Sequence, residues 1–161
     1  MHEACSQGNV DVVELLLQNG AELQARDSEF MTPIHYAAMN ERVDCVKVLV
    51  EHAEETGGTA FAEHIISELE RENQTALHIA VYAGSRKTAQ YLLFKGAEVD
   101  AVKMSMATPL HLAATAGDKG IVELLLNFKA KVEAKNMNHE TPLHKAALFD
   151  SVPVIDLLLQ R

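Results

Sequence analysis

The stretch TPLHLAA, from Thr108 to Ala114, decides the fold because near copies of it recur along the chain. The copies are TPIHYAA at 32–38, TALHIAV at 75–81 and TPLHKAA at 141–147. The histidines of the last three copies lie 33 residues apart. His2 and His35 are also 33 apart, whereas His35 and His78 are 43 apart. The spacing indicates an array of internal repeats, one of which has gained ten residues.

A second motif follows the histidine of each repeat. It is written VVELLLQNGAEL, AQYLLFKGAEV and IVELLLNFKAKV in three of the repeats. The threonine of the first motif suits an N-cap, and the proline behind it suits the first position of a helix. The leucine triplets give the second motif an apolar face. Each repeat therefore predicts a short helix, a turn, an amphipathic helix and an extended excursion.

These residues resemble the ankyrin repeat, whose signature T-P-L-H-x-A recurs every 33 residues. The resemblance covers the whole chain and implies an all-α solenoid of helix-turn-helix units with β-hairpin loops, one of them enlarged and carrying an extra short helix. The expected units are 1–31, 32–74, 75–107, 108–140 and 141–161. Because neither end shows the polar face of a terminal repeat, we expect this chain to be part of a longer array.

The composition excludes several classes of protein. A net charge of −9 disfavours nucleic-acid binding, which needs basic surface. No apolar run approaches the length needed to span a membrane.

Cys5 and Cys45 form no CxxC motif and fall on core positions, so we expect them to be buried and unreactive. The repeated histidines are expected to bond local backbone. We expect no enzyme activity, cofactor or metal.

The longest repeat carries its additional residues at 51–73. Gly57 and Gly58 should break the preceding helix there. Beyond them we expect a short amphipathic helix with Phe61, Ile65, Ile66 and Leu69 on its apolar face, and with Glu63, Glu68 and Glu70 largely off that face. The segment from Glu51 to Glu72 contains seven glutamates and one arginine. Either this is a solvated acidic edge, or it docks a basic partner or another part of the same protein.

The loop tips and the inner helix faces are the surfaces that ankyrin arrays use for binding, as the resemblance implies. Where the family prefers glycine, two residues before each threonine, this chain has Phe30, Asn73, Met106 and His139. Large apolar tips are unusual for a free surface. The candidate partner-binding residues are Phe30, Met31, Met39, Tyr82, Met104, Met106, Met137, His139, Leu148 and Phe149. The alternative is that the loops pack on one another and hide them.

Three local stretches, HETPLHKAALFD at 139–150, AEETGG at 53–58 and KNMNHE at 135–140, resemble one subfamily more specifically. It is the cytosolic ankyrin domain of ankyrin-subfamily transient receptor potential (TRPA-type) cation channels. That resemblance implies a homotetrameric, calcium-permeable channel, with this array on the cytoplasmic side of the plasma membrane contributing to gating, sensing or assembly. Its partners would be a protein or other domains and subunits of the same channel. The alternative is a soluble cytosolic adaptor that binds a protein partner.

Overall fold

The computed structural model describes residues 1–161 and contains ten helices and no β-strand. The helices are α1 (His2–Gln7), α2 (Val10–Gln18), α3 (Pro33–Met39), α4 (Val43–Ser67), α5 (Ala76–Tyr82), α6 (Arg86–Phe94), α7 (Pro109–Ala116), α8 (Lys119–Asn127), α9 (Pro142–Leu148) and α10 (Val152–Leu159). None is both long enough and apolar enough to be a membrane-spanning segment.

The helices form two layers. Odd-numbered helices pack on one another in chain order, α1 on α3 and so on to α9, and even-numbered helices do the same from α2 to α10. Each odd-numbered helix also packs on the even-numbered helix that follows it. Equivalent helix pairs are therefore stacked side by side, which confirms the predicted all-α solenoid. The excursions between pairs form turns rather than strands.

A Thr-x-x-His motif begins the odd-numbered helices from α3 onward, and proline follows the threonine in all of them except α5. Thr32, Thr75, Thr108 and Thr141 are N-caps with extended backbone, and each forms a capping box with the histidine three residues later. The backbone N–H of Thr32 donates to Nδ1 of His35 at 3.1 Å, and the other three motifs repeat this bond. The motif therefore satisfies N–H groups that a helix start would otherwise leave unpaired.

The other ring nitrogen of three of these histidines ties its helix to the following loop. Nε2 of His35 lies 3.1 Å from the carbonyl oxygen of Glu68, and His78 and His111 bond the carbonyls of Ala107 and Glu140 in the same way. Because Nδ1 accepts a hydrogen bond, Nε2 carries the proton and donates it. The expected structural role of the histidines is confirmed.

A continuous core of 36 buried residues runs between the two layers. Small residues let the odd-numbered helices approach closely: Ala37, Ala38, Ala80, Ala113 and Ala114 are fully buried. Cys5 and Cys45 occupy equally buried positions, as expected. Burial raises the pKa of the Cys5 thiol to about 12 and raises that of Cys45 as well, so both thiols are protonated at neutral pH.

Helix α4 contains the additional residues and differs partly from expectation. It bends at Gly58, whose φ of 78° and ψ of −178° are not helical, and the helix resumes directly behind it. Ile65 and Ile66 are buried as predicted, together with Ala62. Leu69 is 41% exposed and Glu68 is 7% exposed, so the prediction was wrong for both. The helix ends at Ser67, and beyond that point the helical period no longer decides which side chains face the core.

The four residues that stand in the glycine position of the loops adopt left-handed backbone. The φ angles of Phe30, Asn73, Met106 and His139 are 60°, 59°, 58° and 58°. Residues other than glycine adopt this backbone conformation at a cost of about 1 kcal/mol. The chain therefore retains large side chains at these tips despite backbone strain.

Candidate protein-binding groove

Backbone hydrogen bonds align the loop tips of neighbouring units. The N–H of Arg71 donates to the carbonyl of Glu29 at 3.0 Å, and the N–H of Met104 donates to that of Glu72 at 2.8 Å. A third bond, from Met137 to Ser105, continues the row at 3.0 Å. The tips consequently form one wall that stands beside the odd-numbered helices.

Side-chain acceptors close three of these loops. One carboxylate oxygen of Asp27 accepts from the N–H groups of the second and fourth residues after it, both at 2.9 Å. Glu70 makes the same two bonds at 2.9 Å, and the amide oxygen of Asn136 makes them at 2.9 and 3.0 Å. Lys103 holds the equivalent position and makes neither bond. The turn therefore forms with an anionic, a neutral or no side-chain acceptor.

A hollow of about 490 Å³ lies between the loop wall and helices α3, α5 and α7. Its apolar lining includes Met31 and Ile79, which are 7% and 6% exposed. Met39 and Tyr82 project far more, at 49% and 79% exposed. The remaining lining residues are Glu70, Glu72, Gln74, Ala83, Lys103 and Leu112. Flexible methionines beside a projecting aromatic ring suit the binding of varied apolar side chains.

A second hollow of about 660 Å³ adjoins the first. The two share Met31, Met39, Glu70, Glu72 and Gln74, so they form one continuous depression. The second hollow adds Asp27, Glu29, Tyr36, Arg71 and Met104. We refer to the lining of both hollows together as the hairpin groove.

Acidic groups outnumber basic ones in the hairpin groove. Its carboxylates are Asp27, Glu29, Glu70 and Glu72, and its cations are Arg71 and Lys103. Arg71 pairs with Glu29 at 3.0 Å, and Lys103 pairs with Glu72 at 3.6 Å. Both cations are thus already neutralised within the groove, whereas Asp27 and Glu70 have no cationic partner.

Asp27 is held ionised by its surroundings. The hydroxyl of Tyr36 donates to its carboxylate at 2.7 Å, and this bond lowers the pKa of Asp27 and raises the pKa of Tyr36. The two loop N–H groups favour the charged form further. The groove therefore presents a stable negative charge beside its apolar lining.

The structure brings four of the ten candidate binding residues into the hairpin groove: Met31, Met39, Tyr82 and Met104. Met31 corrects an expectation, because it is a buried lining residue rather than an exposed tip. It directly precedes the N-cap threonine, where Ala107 of another unit is equally buried at 7%. Exposed tips outside the groove are Phe30, Met106, Met137 and His139, and exposed positions on the last helix pair are Leu148 and Phe149.

Sequence reasoning missed Asp27, Glu29 and Lys103 in the polar half of the groove, and it placed Glu70, Arg71 and Glu72 only within the acidic segment, with two possible roles. Asp27 and Glu70 stand five residues before Thr32 and Thr75, so aligning the loops would have placed them in one register. No period in the sequence shows that Glu72 reaches Lys103, because that contact joins two successive loops. The apolar residues were found because their positions repeat with the helices.

Glu68 fastens the enlarged unit to the first loop. Its carboxylate forms a salt bridge with Arg26, accepts a 2.6 Å hydrogen bond from Gln24, and lies 3.4 Å from Nε2 of His64. Arg26 also donates to the carbonyl of Leu69 at 3.2 Å. Since the Glu68 side chain is only 5% exposed, these partners replace the water it has lost. This part of the acidic segment is therefore an internal tether.

No group of three or more histidine, cysteine, aspartate or glutamate side chains is arranged to hold a metal ion. The repeated histidines are held by capping boxes, and burial lowers the pKa of His35 and of His78 to about 4. The side chains of the groove can recognise a ligand by apolar contact and by charge.

A family model described as ankyrin repeats matches residues 1–103 and again residues 101–161. The chain belongs to the ankyrin-repeat family. Members of this family are protein-interaction modules, and the stacked helix pairs and aligned loops described above are consistent with that membership.

Ankyrin proteins with several different names are similar to this chain. Human ankyrin repeat and SOCS box protein 3 is 33% identical over 101 residues, which is 63% of this chain and 18% of that protein. The mouse B-cell lymphoma 3 protein homolog is 36% identical over 92 residues, 57% of this chain and 19% of that protein. Human transient receptor potential cation channel subfamily A member 1 is 31% identical over 100 residues, 62% of this chain and 9% of that protein. The matches span less than a fifth of each relative.

Proposed function

We propose that this chain is a non-catalytic protein-binding module that uses the hairpin groove, and that it serves in the cytosolic domain of a TRPA-type calcium-permeable cation channel. The observation that carries the binding role is the depression beside Met39 and Tyr82. Two large side chains stand exposed there at the edge of an apolar hollow, and nothing in the chain covers them.

The channel assignment rests on the similarity to the human channel over 62% of the chain. It also rests on the local sequence stretches at 53–58, 135–140 and 139–150. In such a channel the array would lie at the cytoplasmic side of the plasma membrane of a homotetramer. Its groove would hold a segment of another domain or of a neighbouring subunit, and so contribute to gating, sensing or assembly.

A soluble cytosolic adaptor is the second candidate. It is favoured by the similarity to the SOCS box protein and to the lymphoma 3 homolog, whose names do not describe channels. The same groove would then hold a separate partner protein. All ten candidate binding residues remain part of the proposal in either case, with those of the groove expected to contribute most.

The coding sequence downstream of Arg161 separates the two candidates. Six apolar spans with a pore loop support the channel, and a reading frame that ends without them contradicts it. In the full-length protein, Tyr82→Ser combined with Met39→Ser should alter patch-clamp currents at least about fivefold at unchanged surface expression. Phe94→Ser, at a 70% exposed side chain on α6 in the middle of the array and outside the groove, is the control. Equal effects of both variants would contradict a role for the groove.

A further inference from the structure

Resting on the proposed binding role of the hairpin groove, we propose that its occupant is a basic protein segment. Large apolar side chains of this segment would pack on Met39, Ile79 and Tyr82. Its lysine or arginine side chains would face Asp27 and Glu70.

The two unpaired carboxylates provide the charge complementarity. Asp27 receives hydrogen bonds only from neutral donors, the hydroxyl of Tyr36 and two backbone N–H groups. Glu70 receives bonds from two backbone N–H groups through one oxygen, which leaves its second oxygen without a donor. Neither carboxylate is matched by a cation, so a cationic segment would complete the pairing.

The charge at these positions is not needed for the loop. Asn136 closes the equivalent turn with the same two hydrogen bonds through a neutral amide oxygen. Lys103 occupies the same position without a side-chain acceptor, and its loop is closed by backbone bonds alone. A neutral acceptor is therefore sufficient to close the turn at these positions, even though the hydrogen bonds around Asp27 favour its charged form. The negative charge is left free for recognition.

The charged positions also lie where an occupant would have to pass. Asp27 lies in the second hollow, and Glu70 lines both hollows together with Met31 and Met39. A chain that seats an apolar side chain beside Tyr82 and continues into the second hollow must run past both carboxylates. The two cations of the groove do not oppose it, because each is paired with a glutamate.

The test measures fluorescence anisotropy with three labelled synthetic peptides. The first is made of lysine, arginine, leucine and phenylalanine. The second has glutamine, and the third glutamate, at every basic position. We expect the basic peptide to bind at least about tenfold more tightly than the glutamine peptide, and its affinity to fall as salt is raised. Equal binding by the glutamine or glutamate peptide, or no binding by the basic one, would overturn the proposal.

Isosteric variants locate the effect. Asp27→Asn combined with Glu70→Gln keeps acceptors for the loop N–H groups and should weaken the basic peptide about tenfold. The matched control is Asp11→Asn combined with Glu14→Gln, which removes the same charge from the exposed surface of α2 and should change affinity less than about twofold. Equal weakening by both pairs would show attraction to the net charge alone and would overturn the proposal.

The neutral variants Tyr82→Ser and Met39→Ser separate this inference from the groove's general role. Suppose that the glutamine peptide binds the protein as tightly as the basic peptide does, and that these variants abolish its binding. The groove would then be a binding site, and the proposal of a basic occupant would be refuted. Sedimentation of the peptide-free protein tests the remaining possible occupant, a second copy of this chain. A dimer that Tyr82→Ser dissociates would show that a second copy fills the groove, and would also overturn the proposal.

Discussion

His35 and His78 are buried, neutral side chains that use both ring nitrogens in hydrogen bonds. Burial lowers the pKa of each from its ordinary value of 6.5 to about 4. Between these values the unfolded chain binds protons that the folded chain does not. Stability due to these residues is therefore complete above pH 6.5 and decreases as the pH falls toward 4.

We expect the free energy of unfolding, measured with urea, to decrease between pH 6.5 and pH 4. Each of these two histidines should contribute a loss of at most about 3 kcal/mol. His78→Asn should reduce the slope, because one titrating group is removed. His139→Gln, at an exposed loop tip, should leave the slope unchanged. A free energy that stays constant across this range would contradict the assignment of buried neutral histidines.

Met106 shows how a residue can be retained at the expense of stability. Its φ of 58° favours glycine, and its side chain is 48% exposed. Met106→Gly should therefore raise the free energy of unfolding by about 0.5–1 kcal/mol. Met104→Gly, two residues away at a 65% exposed position that is not left-handed, should lower or preserve it. Thermal unfolding of both variants gives the comparison, and destabilisation by Met106→Gly would contradict the strain.

At the scale of the element, the repeat motif made most of the helices predictable. Thr, Pro and His act within four consecutive residues, so their effect on a helix start is local and visible in the sequence. Glu68 was misplaced because its environment is not local. Its salt-bridge partner Arg26 lies 42 residues earlier, and only the stacked structure brings the two together.

Helix α4 depends on Gly58 for its bend. A φ of 78° with a ψ of −178° belongs to a region that essentially only glycine occupies. We expect Gly58→Asn to lower the free energy of unfolding by about 2 kcal/mol. Backbone strain is the expected cause and a steric clash is not, because no atom lies near the position of the added Cβ.

Gly84→Asn is the control for this bend. Glu41 and Asp150 hold the equivalent turn position in other units, with φ of 58° and 51°, so a left-handed side chain is tolerated there. Its expected cost is less than about 1 kcal/mol in the same urea titration. If both variants cost the same, the backbone at Gly58 is not the special feature of this helix.

At the scale of the whole molecule, stacking creates a surface that no single repeat contains. The apolar lining of the hairpin groove comes from α3, α5 and α7 together with the loop residues Met31 and Met104, and its charges come from the loops that precede those helices. The sequence predicted Met39, Tyr82 and Met104 because they project from repeated positions. It did not predict the pairing of Lys103 with Glu72, which depends on the spacing between successive loops.

Hydrogen–deuterium exchange of the protein with and without the basic peptide tests most directly whether binding takes place in the hairpin groove. We expect the peptide to slow exchange of amides in 27–39 and 70–83, the loops and helices that line the groove. Slower exchange confined to the even-numbered helices α2, α6 and α8, with the groove segments unchanged, would contradict it.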